Sequence, residues 1–223
     1  MRRFLPVIFF FLTACTPTNS VDVDATSQLL TLYAAPATEE WIPFVYNCAD
    51  RTQGGLVQRT PKIADADISL RLIVPQDAEM LAYQIGEIEL VIVSNAVNPV
   101  SELTETQIAE IFEGKIRNWA EVGGEDAEIQ IWVYGQENDL QVAFNETLLK
   151  GGISSSLARQ AQSPREMREA IGDDSNAIGI ISHVQVDENL HILHSLGDFP
   201  VLAISTKEPE GIIFSLLSCL QGE

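Results

Sequence analysis

Residues 93–144, VSNAVNPVSELTETQIAEIFEGKIRNWAEVGGEDAEIQIWVYGQENDLQVAF, decide the reading of this chain. They begin at the end of residues 87–94 (EIELVIVS), a nearly continuous run of Val, Ile and Leu of the kind a strand covered on both faces requires. Asn98-Pro99-Val100 turns the chain, and residues 101–104 open a helix whose Ile108, Ile111 and Phe112 share one face. Gly114 stops that helix. After Trp119 and the turn at Val122-Gly123-Gly124, residues 129–134 return to strand and residues 140–149 to helix. Strand and helix alternating at this spacing is the pattern of an α/β architecture with mostly parallel strands.

Working outward, residues 29–34 (LLTLYA) read as a strand, and Thr38-Glu39-Glu40 supplies a cap and first-turn acids for a helix to about Cys48. Gly54-Gly55 breaks the chain before LVQRT. Residues 66–73 read as a second strand and residues 77–84 as a short helix. Toward the end, helices are expected at 164–171 and 210–220, and strands at 177–181 and 201–205.

The first residues predict the compartment. Arg2 and Arg3 precede an apolar run over residues 4–12, too short to span a bilayer as a mature helix, and the run reads as an export signal. Leu12-Thr13-Ala14-Cys15 resembles a bacterial lipobox, so residues 1–15 form a lipoprotein signal and Cys15 receives the lipid. The alternative is an ordinary secretory peptide with an incidental cysteine. Residues 16–27 are polar and read as a flexible tether. The expected localisation is extracytoplasmic, anchored to the cell membrane through Cys15.

The formal charge of −19 becomes −21 once Arg2 and Arg3 leave with the signal. Such acidity argues against nucleic acid and against broad contact with anionic headgroups. It leaves room for a small anion held locally by a helix amino terminus. Cys48 and Cys219 both lie in apolar surroundings, and in an exported chain they predict a disulfide, with two buried thiols as the alternative.

Asn98-Pro99-Val100, Leu103-Thr104, Gln107, Ile111-Phe112, Gly114, Ile116, Trp119 and Val122-Gly123-Gly124 resemble, in order and spacing, the second lobe of phosphate-binding-type solute-binding proteins that feed ABC transporters. Ala177-Ile178-Gly179-Ile180 resembles the same family's return strand, and Phe199-Pro200-Val201 a later segment. The resemblance implies a type II periplasmic-binding-protein-like α/β fold, with two lobes of mixed, mostly parallel sheets joined by two crossover strands. Lobe 1 would hold residues 28–95 plus 182–223, and lobe 2 residues 96–181. It further implies a monomer that captures a small molecule or oxyanion between its lobes for an ABC permease, without a cofactor. Each matching residue also has a plain structural role: Trp119 and Phe112 as core aromatics, Gly114 as a helix stop, Gly123-Gly124 as a turn needing positive φ.

The positions that would grip a ligand depart from the resemblance. Counting back from Phe144, the family's arginine falls on Tyr134 and its Ser-Gly-Thr on Asn138-Asp139-Leu140. An arginine offers a fixed charge and two parallel donors to an oxyanion, whereas Tyr134 keeps one hydroxyl, Leu140 none, and an inward Asp139 would repel an anion. Thr38 remains as a helix-start donor. Arg71 would supply a substitute charge or lie on the surface. Tyr134, Trp132, Gln136 and Asn138 would line a pocket suited to a neutral or zwitterionic ligand, or would be ordinary loop residues. The candidate ligand-binding set is therefore Thr38, Arg71, Tyr134, Gln136, Asn138 and Asp139.

Enzyme and metal readings find little support in the residues. His183, His191 and His194 lack an acid or cysteine at metal-ligand spacing, and no nucleophile-elbow, zinc-protease or phosphate-loop sequence occurs. The leading expectation is a lipid-anchored solute receptor. The alternative is a degenerate member of the same fold acting as a sensory or interaction module of the envelope.

Overall fold

The computed structural model describes residues 28–52, 55–77 and 79–222. The export signal, Cys15 and the tether therefore lie outside the described residues. Among the described residues eight strands make one mixed sheet in the order β2-β1-β3-β8-β4-β7-β5-β6. They are β1 (Gln28–Ala34), β2 (Gly55–Arg59), β3 (Ile68–Arg71), β4 (Leu81–Asn95), β5 (Gln130–Tyr134), β6 (Arg159–Ala161), β7 (Ala177–Ser182) and β8 (Leu190–Ser205). Pairings β1–β2, β1–β3, β5–β6 and β5–β7 are parallel. Those of β3–β8, β4–β7 and β4–β8 are antiparallel.

β4 and β8 run through the centre of the sheet, paired from Leu81↔Ser205 to Asn95↔Leu190. Both flanks of the sheet hang on this pair. The central part of β4 carries Leu90, Val91, Ile92 and Val93, all at 0% exposure, as the continuous apolar run at 87–94 requires for a strand covered on both faces.

Helices α1 (Ile42–Arg51) and α5 (Gly211–Leu220) meet at the β1–β3 flank, and the Cys48–Cys219 disulfide joins them with Cα atoms 5.7 Å apart. At the other flank lie α2 (Glu105–Phe112), α3 (Asp139–Thr147) and α4 (Pro164–Asp173). Thr104 caps α2 in a reciprocal capping box with Gln107, which gives the Leu-Thr-x-x-Gln spacing its physical meaning. Phe112 and Phe144 tilt against each other at 4.6 Å, and Trp119 is buried with its indole N–H donating to the Asn176 carbonyl. Gly123 has φ +90, as the turn demands, but Gly124 does not share that conformation. It is small for a different reason: a Cβ there would lie 2.9 Å from Trp119 Cβ.

Some local expectations are corrected. The helix expected at 77–84 is not found over 81–84, because β4 begins at Leu81 and its first residues pair with Ser205, Ile204 and Ala203 of β8. The local preference of Ala, Glu, Met and Leu for helix loses to a ladder that the partner strand already offers. The expected strand at 201–205 is the end of sixteen residues of β8, which also takes in His191 and His194. The helix expected from Thr38 opens with a 3-10 turn, Pro36–Trp41, before α1 starts at Ile42.

Candidate functional site

The carboxyl end of β3 and the amino end of α3 meet through one ion pair. Asp139, at the first position of α3, is 1% exposed, and its carboxylate accepts from Arg71 at Nε (2.9 and 2.8 Å to its two oxygens) and Nη2 (2.6 Å). The Leu72 backbone N–H donates to the same carboxylate at 2.8 Å. Asp139 holds the Arg71 guanidinium above its ordinary range, chiefly through this hydrogen bonding and against the opposing effect of burial. A planar guanidinium fork, a backbone N–H and a helix amino terminus are together what recognises an oxyanion. Here the fork of Arg71 and the Leu72 N–H hold a side chain of the protein, the carboxylate of the first residue of α3.

The other candidates are placed as follows. Thr38 is buried, and its hydroxyl donates to the carbonyls of Ala35 (3.0 Å) and Leu70 (3.1 Å), so it ties the 3-10 turn to β3. Asn138 is the N-cap of α3 and accepts from the Leu140 N–H at 2.9 Å. Tyr134 is 2% exposed, its hydroxyl has no hydrogen-bond partner, and burial pushes that hydroxyl above the ordinary phenol range. Gln136 is exposed on the loop after β5. Trp132 carries a buried indole N–H without a partner and lies 5.7 Å from the Arg159 guanidinium, ring centroid to Cζ.

Two groupings result. Arg71 and Asp139 form the bridge. Tyr134 and Gln136 line a polar hollow of about 360 Å³ together with Gln141, Asn145 and Ser154–Ser156, a lining without a charged side chain. Trp132, Asn138 and Thr38 do not line it. Two contributors escaped the sequence reading. The Leu72 N–H has no side-chain signature. Gln141, 2% exposed, accepts from the Tyr134 N–H at 2.9 Å and donates to Asn145 and Ser154. It stands three after the cap Asn138, the position of a capping-box partner, but bonds Tyr134, Asn145 and Ser154 instead.

Among the described residues no group of His, Cys, Asp and Glu is arranged to hold a metal ion, and no helix is long and apolar enough to cross a membrane.

The phosphate-binding protein PstS of Bacillus subtilis (strain 168) is 27% identical over 99 residues, 43% of this chain, and the chain spans about a third (33%) of the length of that relative. A solved structure from Clostridium perfringens, described as a phosphate ABC transporter substrate-binding protein with bound phosphate, superposes with a TM-score of 0.73 at 19% identity, covering 86% of this chain and 92% of that one. An ABC-type phosphate transport receptor from Vibrio cholerae gives 0.69 at 18% identity, covering 86% and 94%. All three are described as binding proteins or receptors, and the two structures share the α/β fold found here. The family model described as a PBP superfamily domain matches residues 62–195, more than half of the chain, and the chain belongs to that superfamily.

Proposed function

We propose that this chain is an extracytoplasmic member of the superfamily, anchored by lipid at Cys15, that has given up oxyanion capture and serves as a sensory or interaction module of the cell envelope. In this reading residues 28–95 plus 182–223 form one lobe, which includes β4 and β8, and residues 96–181 the other. Arg71 then belongs to the first lobe and Asp139 to the second, so their ion pair joins the two.

One observation carries the reading: the donors suited to an oxyanion already hold the Asp139 carboxylate. An incoming phosphate would have to displace a buried, covalently tethered competitor and leave that carboxylate uncompensated beside it. The phosphate named in the relatives' descriptions does not transfer to a site so filled.

A second reading keeps solute capture for an ABC permease but changes the solute. The uncharged hollow at Tyr134, Gln136 and Gln141 offers donors and acceptors suited to a neutral polar ligand. Thermal unfolding with phosphate, sulfate, molybdate, amino acids and sugars separates the two, because a bound solute raises stability by RT ln(1 + [L]/Kd). The interaction reading expects no shift with any of them. A saturable shift with a sugar or amino acid would install the second reading, and one with phosphate would overturn both.

A further inference from the structure

We infer that the apolar hollow beside Arg71 is a docking surface for a partner-protein segment that sets a large apolar side chain next to a lysine or arginine. The inference deepens the interaction reading and rests on it. The hollow holds about 310 Å³, and its apolar walls come from Ile63, Ile73, Val74, Pro75, Met80 and Ile204. Ser69 of β3 faces Ile204 of β8 across the ladder, so these two side chains share the floor. Ile68, Leu70 and Ala203 alternate to the opposite face and enter the main core with Val45 and Leu216.

Much of this apolar surface is open to solvent. Val74 is 64% exposed, Ile63 47% and Met80 37%. Large side chains left exposed together around a concavity mark a place where another apolar group is accommodated.

The surrounding charge selects the occupant. Asp67 and Asp77 line the hollow, and exposed Asp65 and Glu79 lie next to them in the chain. Arg71 also lines it, but its charge is matched by Asp139, which leaves Lys62 and Lys207 as the neighbouring bases in sequence. The local field is therefore acidic, within a chain of formal charge −19. That disfavours a second copy of this equally acidic chain and an anionic lipid surface as occupants. A purely apolar ligand would make no use of the rim. A basic residue beside an apolar anchor satisfies both parts, the anchor supplying affinity and the charge steering the encounter.

The test uses the full chain in nanodiscs of zwitterionic lipid, with empty discs as control, and fluorescence anisotropy of three labelled peptides: alternating Leu/Lys, Ser/Lys and Leu/Glu. The expected result is saturable binding of the Leu/Lys peptide only, weakening with added salt. The double substitution Val74→Ser/Met80→Ser should weaken it roughly tenfold or more, the scale of one apolar side chain losing its burial. Asp77→Asn/Glu79→Gln should flatten the salt dependence. Equal binding of Ser/Lys would reduce the effect to bulk charge, equal binding of Leu/Glu to apolarity alone, and an undiminished Val74→Ser/Met80→Ser variant would move the site elsewhere. Each of these outcomes overturns the proposal, as does a concentration-dependent dimer by light scattering that Val74→Ser/Met80→Ser abolishes. A solute shift in the thermal screen with Leu/Lys binding retained would overturn the transport-free reading and leave the docking surface standing. No peptide binding together with no solute shift would overturn the docking surface alone.

Discussion

At the scale of single residues, Asp139 is the departure that matters most, and its consequence is testable without knowing any partner. Its carboxylate is the acceptor for two guanidinium nitrogens and one backbone N–H, with 2% of the side chain exposed against 25% for Arg71. Asp139→Gly strands a partly buried guanidinium and the Leu72 N–H, and should cost about 3 to 5 kcal/mol in chemical denaturation. Asp139→Asn keeps an acceptor for Leu72 and should cost less. If the seat is of oxyanion type, phosphate should restore part of the lost stability of Asp139→Gly beyond chloride at matched ionic strength, and should do no such thing for the native chain. Equal response of both chains would mean that Asp139 fills no such seat. Glu40 offers a second residue-scale test. It accepts from the Ser182 hydroxyl at 3.3 Å, but burial outweighs that contact and raises its carboxyl above the ordinary range. A carboxyl raised in the folded state weakens folding once pH exceeds its folded value, and the penalty disappears as pH falls toward the unfolded value. Glu40→Gln should therefore be more stable than the native chain at neutral pH, with the gap closing in acid. A gap of constant size across the titration would refute the assignment. At this scale the sequence was only half legible: position showed that Tyr134 stands where the resemblance places an arginine, but no local signal could pair Asp139 with Arg71, 68 residues away.

At the scale of elements, close packing of helix on sheet explains which sequence signals survive. Met167 and Ile171 of α4, both at 0% exposure, lie over Gly179 of β7, where an added Cβ would come within 2.6 Å of the Met167 sulfur and 2.7 Å of Ile171 Cδ1. The glycine in Ala-Ile-Gly-Ile is thus a packing requirement, and Gly179→Ala should cost about 1 to 3 kcal/mol through overpacking. Adding Met167→Ala should recover part of it by making room. Strictly additive losses in the double variant would show that the two side chains do not compete. The strong apolar run of β4 and the cap of α2 were readable because each is a local pattern: continuous Val, Ile and Leu, and Thr104 with Gln107. The start of β4 was not, since Leu81 through Gln84 is extended only because β8 returns more than a hundred residues later to pair with it. Short β6 gave no signal either, its three residues being set by parallel pairing with Trp132, Val133 and Tyr134.

At the scale of the whole molecule, two links act at different places: the Arg71–Asp139 pair joins the end of β3 to α3, and the Cys48–Cys219 bond joins the first helix to the last. The cysteine pair was legible because only two cysteines follow Cys15, both in apolar helical surroundings, in a chain whose first residues read as an export signal. The architecture was legible through the spacing of strands and helices, whereas the Arg71–Asp139 pairing depends on where two distant elements meet. The disulfide closes a loop spanning 171 residues, so in the chain-entropy view it stabilises by about 5 kcal/mol, mostly by restricting the unfolded ensemble. Reduction, or Cys48→Ser/Cys219→Ser, should lower the denaturation midpoint accordingly and steepen the denaturant dependence, because a longer stretch of chain becomes solvent-exposed on unfolding. The folded shape should not change, since Cys48 sits in a core also held by Val45, Ala49, Leu216 and Leu217, and scattering profiles of the oxidised and reduced chains should superimpose under native conditions. A reduced chain with an unchanged midpoint would mean that the crosslink does not constrain the unfolded state. One that expands before it unfolds would mean that α5 depends on the bond for its place against α1.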